Sequence, residues 1–289
     1  MTPPERSRFH ALRFGRAAAR YEEHAGLQSR MADTLLSLWG ERAAPSRILE
    51  FGCGTGLLTR RLRARFPQAG HLATDAAPEM LEHARKAFQE GQGDGRRAPV
   101  FSVLDARGGV ASWTGYQENV AAHAALLPAD LVAAGAVVQW FPDLAAHLRF
   151  AASCAAPGAA YLVSGFDRDN FPELNTLLAE PPFSYRDFPG HAPAAVEAAA
   201  AAAGWSVAGM LSWEEREVWA GARAVLKRVQ DLGAVRDPRS GGRMTRAGLA
   251  HLLVEYERRF AMGGAKTKAG EPPPVSLTWK PWAALLTRD

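Results

Sequence analysis

The residues best placed to do chemistry stand between Glu50 and Asp105. Glu50-Phe51-Gly52-Cys53-Gly54-Thr55-Gly56 follows a short apolar run and precedes an amphipathic one. Glycines at such a junction let the backbone approach a ligand with no side chain in the way. The free N–H groups that open the next helix then face an anionic or polar ligand group. In Gly52-x-Gly54-x-Gly56 the third glycine comes one residue earlier than the dinucleotide fingerprint requires, and no Gly-Lys-Ser/Thr phosphate loop is present. The loop therefore suits a ligand that ends in an amino acid rather than a diphosphate. A plain strand-to-helix turn would also want glycines, so the loop takes its meaning from its neighbours. Asp75 can accept both hydrogen bonds of a ribose diol, or cap the helix behind it. Asp105 can accept from an exocyclic adenine amine, or serve as a turn residue before Gly108.

These groups need elements to hold them. Arg47 to Phe51 reads as a strand, entered after Pro45 and Ser46, and Leu57 to Phe66 as a helix with Leu58, Leu62 and Phe66 on one face. His71 to Thr74, Val100 to Val103, Asp130 to Ala134 and Ala159 to Gly165 read as four further strands, with helices over 78–88 and 144–154. Strands alternating with helices imply a parallel sheet covered on both faces. The glycine loop and the two aspartates then lie at the carboxyl ends of successive strands, where such sheets bind ligands. Ahead of the sheet, the spacing of Ala18, Tyr21, Ala25, Leu27, Met31, Leu35 and Leu38 predicts a short helix, a break near Gly26 and a second helix. Residues 106–129 read as an irregular excursion and 170–192 as a loop or short helices. Behind them come a helix over 194–203, a strand from Trp205 to Trp213, helices over 219–233 and 245–261, and a last strand from Val275 to Leu286. The expected fold is α/β: a doubly wound, mostly parallel, seven-stranded sheet. Its expected parts are an N-terminal helical cover (1–44), a ligand-binding core (45–218), a helical insertion between the last two strands (219–274) and the final strand (275–289).

The 289 residues are 47% hydrophobic and 22% charged, enough for a buried core and against global disorder. A formal charge of +4 permits an acidic partner without singling out nucleic acid. Two cysteines, Cys53 and Cys154, make no disulfide framework and fit a reducing compartment. No apolar run reaches membrane-spanning length. Residues 1–20 hold arginines and Glu5 but no apolar segment, which is not a secretory signal. The expectation is a cytoplasmic monomer with no metal, no nucleic-acid partner and no membrane partner.

Ile48 to Gly56, Asp75 and Asp105 together resemble the class I S-adenosylmethionine-dependent methyltransferases, whose sheet is Rossmann-like. The resemblance implies S-adenosyl-L-methionine as cofactor and S-adenosyl-L-homocysteine as product. It implies that Glu50, Gly52, Gly54 and Gly56 meet the methionine part, Asp75 the ribose and Asp105 the adenine. Tyr21, Gln28, Ala76 and Ala134 complete the implied cofactor set.

A second resemblance runs along most of the chain. Phe14-Gly-Arg-Ala-Ala-Ala-Arg-Tyr21-Glu-Glu-His24-Ala-Gly-Leu-Gln28, Val137-Val-Gln139-Trp140, Phe171-Pro-Glu-Leu174, the stretch Leu226 to Ala234, Met244-Thr-Arg246 and Leu277-Thr-Trp279 resemble the malonyl-[acyl-carrier-protein] O-methyltransferases of biotin synthesis. This implies methyl transfer to the free carboxylate of a malonyl thioester, carried by acyl-carrier protein or coenzyme A, giving the ester that starts the pimelate chain. A carboxylic acid with a pKa of about 4 is already ionised at neutral pH, so no general base is required. Positioning on the sulfur–methyl line supplies the rate. The implied acceptor pocket is Tyr21, His24, Gln139, Trp140 and Arg243. Tyr21 either closes over the methionine end or packs in an amphipathic helix. His24 is either a pocket residue or a structural one, and Trp140 has core packing as its plain alternative. Arg223, Lys227, Arg228, Arg236, Arg239, Arg243 and Arg246 would steer an acidic carrier, or form an ordinary solvated face. Two departures stand out: Gly135-Ala136 replaces the family's Asn-Leu, and Glu50 stands where Asp is common. They leave open methylation of another small acid or quinone-type acceptor, and a module that binds the cofactor without catalysis.

Overall fold

The computed structural model describes residues 26–89, 95–106, 125–181, 183, 188–231, 245–262 and 271–289. The helix expected over 15–25, most of the 106–129 excursion, and Tyr21, His24, Arg236, Arg239 and Arg243 lie outside the described residues.

The chain divides into two compact units. The first comprises Met1–Gly165, Pro193–Leu211 and Trp282–Asp289. Its strands are β1 (Arg47–Phe51), β2 (Gly70–Asp75), β3 (Val100–Val103), β4 (Ala129–Ala134), β5 (Ala155–Phe166), β6 (Ser206–Ser212) and β9 (Pro281–Thr287). They form one seven-stranded sheet in the order β3-β2-β1-β4-β5-β9-β6. The pairs β1–β2, β1–β4, β2–β3 and β4–β5 are all parallel. In β1, Ile48, Leu49 and Phe51 are fully buried, the near-continuous apolar run of a strand covered on both faces. Glu50 interrupts that run and is itself buried.

Five helices accompany this sheet: α1 (Gly26–Ser37), α2 (Leu57–Arg65), α3 (Pro78–Gln89), α4 (Leu144–Cys154) and, after the second unit's α5 (Pro172–Ala179), the alanine-rich α6 (Pro193–Ala202). Asp143 caps α4 by accepting from the Ala146 N–H at 2.8 Å. Helix α6 buries Val196 and Ala200, and Trp205 behind it donates its indole N–H to the Leu148 carbonyl at 3.0 Å.

The second unit comprises Phe166–Ala192 and Ser212–Pro281. Strands β7 (Glu215–Ala220) and β8 (Pro274–Trp279) pair antiparallel, with Arg216 opposite Thr278 and Val218 opposite Ser276. Helices α5, α7 (Ala222–Asp231) and α8 (Arg246–Phe260) complete it. Glu173 of α5 is buried and accepts from the Thr278 N–H at 3.0 Å and its hydroxyl at 2.7 Å. Trp279 packs edge-on against Phe171 with ring centroids 4.4 Å apart.

The seven-stranded sheet with flanking helices is the fold the sequence predicts. Two details differ. Residues 215–220 form a strand, so the helix expected from 219 begins only at Ala222. The single strand expected over 275–286 is two strands in different sheets. The break falls at Lys280, whose N–H donates to Asn170 Oδ1 and whose carbonyl accepts from the Asp167 N–H, both at 2.8 Å. Pro281, next along, has no N–H to continue a ladder.

Candidate functional site

Between β1 and α2, Gly52, Gly54 and Gly56 all take the left-handed backbone, with φ of 64°, 54° and 90°. Gly52 and Gly54 have different surroundings. A Cβ on Gly52 would stand 2.5 Å from Val137 Cγ2, whereas one on Gly54 would meet nothing within 4 Å. The first admits the chain that follows β4; the second keeps an open side.

The loop is hung from β2. The Cys53 N–H donates to the Thr74 carbonyl and the Gly54 N–H to Asp75 Oδ2, each at 2.9 Å. The other oxygen, Oδ1, accepts from the Ala77 N–H at 2.8 Å. Asp75 thereby ties the loop to the opening of α3. Burial pushes its carboxyl above the ordinary value; the N–H bonds from Ala77 and Gly54 pull the other way without cancelling it, and the Glu50 charge adds to the rise. Each oxygen of an ionised carboxylate keeps further acceptor capacity after one bond. Both can therefore still receive a diol.

Beside the loop is a cavity of about 50 Å³, lined by Gln28, Met31 and Ala32 of α1, by Gly52 to Thr55, by Leu57 and Leu58, and by Gly135, Ala136 and Ser164. By that measure one water needs about 10–15 Å³, so the cavity takes a few waters or the end of a ligand. Two of its lining side chains are almost fully buried, Gln28 at 8% exposure and Thr55 at 3%, and Gln28 Oε1 and Thr55 Oγ1 have no hydrogen-bond partner among the described residues. Buried polar atoms are normally satisfied. A ligand group rich in donors, such as an ammonium, brought up to these two residues would satisfy both oxygens.

The turn after β4 forms the cavity's other wall. Ala136 holds a left-handed φ of 53°. Its N–H donates to the Ser164 carbonyl at 3.1 Å and hydroxyl at 3.2 Å. Gln139 Nε2 donates to the Ala136 carbonyl at 2.6 Å, leaving Gln139 Oε1 buried without a partner. Trp140, half-buried, closes a short 3-10 turn through its N–H to the Val137 carbonyl.

Of the sequence-predicted cofactor residues, Gln28, Gly52 and Gly54 line the cavity and Asp75 holds its rim. Glu50, Gly56, Ala76, Asp105 and Ala134 do not line it. Glu50 Oε2 accepts from the Thr59 hydroxyl at 2.8 Å and lies 2.9 Å from His71 Nε2. Gly56 faces α3, where a Cβ would meet Phe88 Cε2 at 2.8 Å. Ala134 is fully buried, and the next two residues line the cavity instead. Sequence reasoning missed Thr55, Met31, Ala32 and Ser164. Thr55 stands inside the quoted motif, and Ser164 lies near the carboxyl end of β5, one strand further along the same rule. Arg228, expected on a solvated basic face, is corrected: it is 5% exposed and paired with Glu217 at 2.8 Å. Among the described residues, no group of three His, Cys, Asp or Glu side chains is placed to hold a metal ion.

Residues 21–207 match the family model of a methyltransferase domain. The malonyl-[acyl-carrier protein] O-methyltransferase of Brevibacillus brevis is 35% identical over 166 residues, 56% of this chain and 54% of that protein. The trans-aconitate 2-methyltransferase of Methylobacterium nodulans is 35% identical over 172 residues, 58% of each. The matched stretch thus spans about half the length of these curated relatives. The solved structure of the YcgJ protein from Bacillus subtilis shares the fold, with a TM-score of 0.56 at 14% identity, over 89% of this chain and 97% of that one. The family match takes in the glycine loop, Asp75, Asp105 and every strand from β1 to β5, so the chain belongs to the methyltransferase-domain family.

Proposed function

We propose that the chain is an S-adenosyl-L-methionine-dependent carboxyl O-methyltransferase whose acceptor is the free carboxylate of a malonyl thioester, on acyl-carrier protein or coenzyme A. One observation carries the cofactor half of this reading. Gln28 and Thr55 line a small cavity whose rim is bonded to Asp75, and Gln28 Oε1 and Thr55 Oγ1 are buried with no hydrogen-bond partner among the described residues. An amino-acid end in the cavity and a ribose at Asp75 would satisfy all three groups together.

When bound, S-adenosyl-L-methionine supplies an electrophilic methyl group on a sulfonium, with S-adenosyl-L-homocysteine as product. The chain's own residues bind and orient. Gln28 and Thr55 receive the ammonium; Gly52 and Gly54 let the backbone come close; Asp75 accepts from the ribose and Asp105 from the adenine amine. Excluding water, which would compete for these acceptors, is what gives these bonds their strength. No residue takes a proton, because the acceptor carboxylate is ionised at neutral pH. Gln139 and Trp140 follow β4, beside the cavity wall formed by Gly135 and Ala136, and are assigned to the acceptor side; the same role for Tyr21, His24 and Arg243 rests on the sequence alone. Holding a carboxylate in line without neutralising it is their task.

The malonyl thioester rests on the segments Phe14 to Gln28, Val137 to Trp140 and Leu226 to Trp279, and on the name of the Brevibacillus relative. Arg223 and Arg246 are exposed and would meet an acidic carrier. The reading carries with it a cytoplasmic monomer with no nucleic-acid or membrane partner. The Methylobacterium relative, equally identical and named for trans-aconitate, favours a second reading in which the acceptor is a free polycarboxylic acid.

Incubation with isotopically labelled S-adenosyl-L-methionine tests both readings, offering malonyl-acyl-carrier protein, malonyl-CoA, malonate and trans-aconitate side by side with mass analysis of each. Label in the malonyl ester of a thioester is the expected result. Label in a free acid alone selects the second reading. Cofactor binding with no transfer to any acceptor leaves a binding module.

A further inference from the structure

The glycine loop is clamped from beneath by a buried polar cluster that does not line the cavity. Glu50 precedes the loop on β1, Thr59 follows it on α2, and His71 stands on the neighbouring β2. All three are buried, Glu50 and Thr59 completely and His71 to 3% exposure. One carboxylate oxygen, Glu50 Oε2, receives the Thr59 hydroxyl at 2.8 Å and lies 2.9 Å from His71 Nε2. That single oxygen closes a chord across residues 51–58, the whole loop and the entry to α2. A second bond ties the same residue to β2: the Thr74 hydroxyl donates to the Glu50 carbonyl at 2.8 Å.

The His71 contact is short but is not aligned as a hydrogen bond, and the other ring nitrogen, Nδ1, has no partner. The 2.9 Å approach sets the polar edge of the imidazole directly against the carboxylate oxygen that also receives Thr59. Glu50 Oε1 has no partner of its own. His71 and Thr59 are thus the side chains that stand against a carboxyl group that has lost all its water.

We infer that His71 is a positioning residue for the proposed cofactor site: it anchors Glu50, and through Glu50 it fixes both ends of the glycine loop. The assignment rests on the methyltransferase reading above. His71 does not line the cavity, so its loss acts on the loop's geometry and not on the transfer step.

The test compares wild type with His71→Leu and with the double variant Glu50→Gln/His71→Leu, reading thermal unfolding, calorimetric Kd for S-adenosyl-L-homocysteine, and KM and kcat. His71→Leu is expected to be less stable and to bind about tenfold more weakly, a loss equivalent to one misplaced strong contact. KM for S-adenosyl-L-methionine rises in step while kcat at saturation stays near wild type. The double variant, which has no buried carboxylate to compensate, is expected to regain stability while its Kd stays weak, and His71→Gln to recover most of the affinity. Should His71→Leu fail to fold, the double variant is read alone. Wild-type affinity in a folded His71→Leu or in the double variant overturns the positioning role. Absence of binding to wild type itself overturns the cofactor site and His71's role with it, whereas binding by wild type with equal binding by the variants overturns only the latter.

Discussion

Asp75 and Glu217 are both carboxylates withdrawn from water, one in each unit, and the protein treats them in opposite ways. Glu217 on β7 faces Arg228, which reaches it through Nη2 to Oε1 at 2.8 Å and Nε to Oε2 at 3.2 Å. The Trp219 indole N–H donates to the same group at 3.1 Å. The guanidinium also lies over the rings of Trp219 and Trp279, 5.7 and 5.6 Å from their centroids. Burial alone would raise the Glu217 carboxyl, but the bonds and charge of Arg228 outweigh it and hold it below its ordinary value. Asp75 has only backbone N–H groups, and its carboxyl is pushed up. A forked guanidinium occupies a carboxylate in a fixed geometry. Backbone N–H groups orient one while leaving acceptor capacity free. The first arrangement builds a core; the second keeps a carboxylate available to a neutral diol.

The largest expected effect is at Asp75. Replacing it with Ala removes the proposed ribose acceptor and strips Gly54 and Ala77 of theirs. The affinity for S-adenosyl-L-homocysteine should fall about a hundredfold, two strong hydrogen bonds' worth. Calorimetry on the folded variant reads this, and an unchanged Kd would sink the assignment. Arg228→Met comes next. It strands Glu217, which is 19% exposed, without its cation, and a broken buried pair costs about 3–5 kcal/mol. Chemical denaturation should show that loss with cofactor affinity intact; weakened binding at full folding would erase the distinction between the two carboxylates.

The two groups also predict opposite pH slopes. The folded-state pKa of Glu217 is depressed, so its contribution is present above the unfolded value, about 4.3, and is lost as pH falls through the folded one. The gap in stability between wild type and Arg228→Met should therefore narrow below about pH 4. That of Asp75 is raised, so its ionised form costs stability that grows as pH rises from about 3.9 through the folded value. A gap that widens on acidification contradicts the first sign. The smallest effect is expected at the cavity wall. Ala136→Gly relieves a left-handed alanine, and after the entropy glycine adds to the unfolded chain, a gain of about 0.5–1 kcal/mol remains. A fall in melting temperature would show that Ala136 is not strained.

The contrast between the two carboxylates was only half legible in the sequence. Asp75 could be read because local signals converge on it: an apolar strand, a glycine loop one strand away and a helix behind. Glu217 and Arg228 could not, for two reasons. On β7, Glu215, Glu217 and Trp219 are the half-buried set while Val218 is exposed, so the inward face carries charge and the strand lacks the usual apolar alternation. On α7, Lys227 and Arg228 are adjacent in a basic run, yet Arg228 shares the buried side of Val225 and Val229 while Lys227 is exposed. Charge counting merges the two; only the helical period of the valines separates them. The break at Lys280 was equally hidden, since it depends on Asn170 and Asp167, far away in the chain. Around the cavity, the strand-end rule located Gln139 and the loop but passed over Ser164, and no local pattern announces a threonine left unpartnered.

The strand order has a consequence for how the molecule is made. β9 lies between β5 and β6, yet it leaves the ribosome after the whole of 213–280. Until then β5 and β6 each lack the neighbour that will separate them, and Trp282, Leu285 and Leu286, all buried in the finished sheet, are not yet there to fill the gap. An open slot between two strands is a template for pairing with the wrong chain. Nascent protein arrested before residue 281 should therefore be held by chaperones, and release from them should coincide with arrival of the final strand.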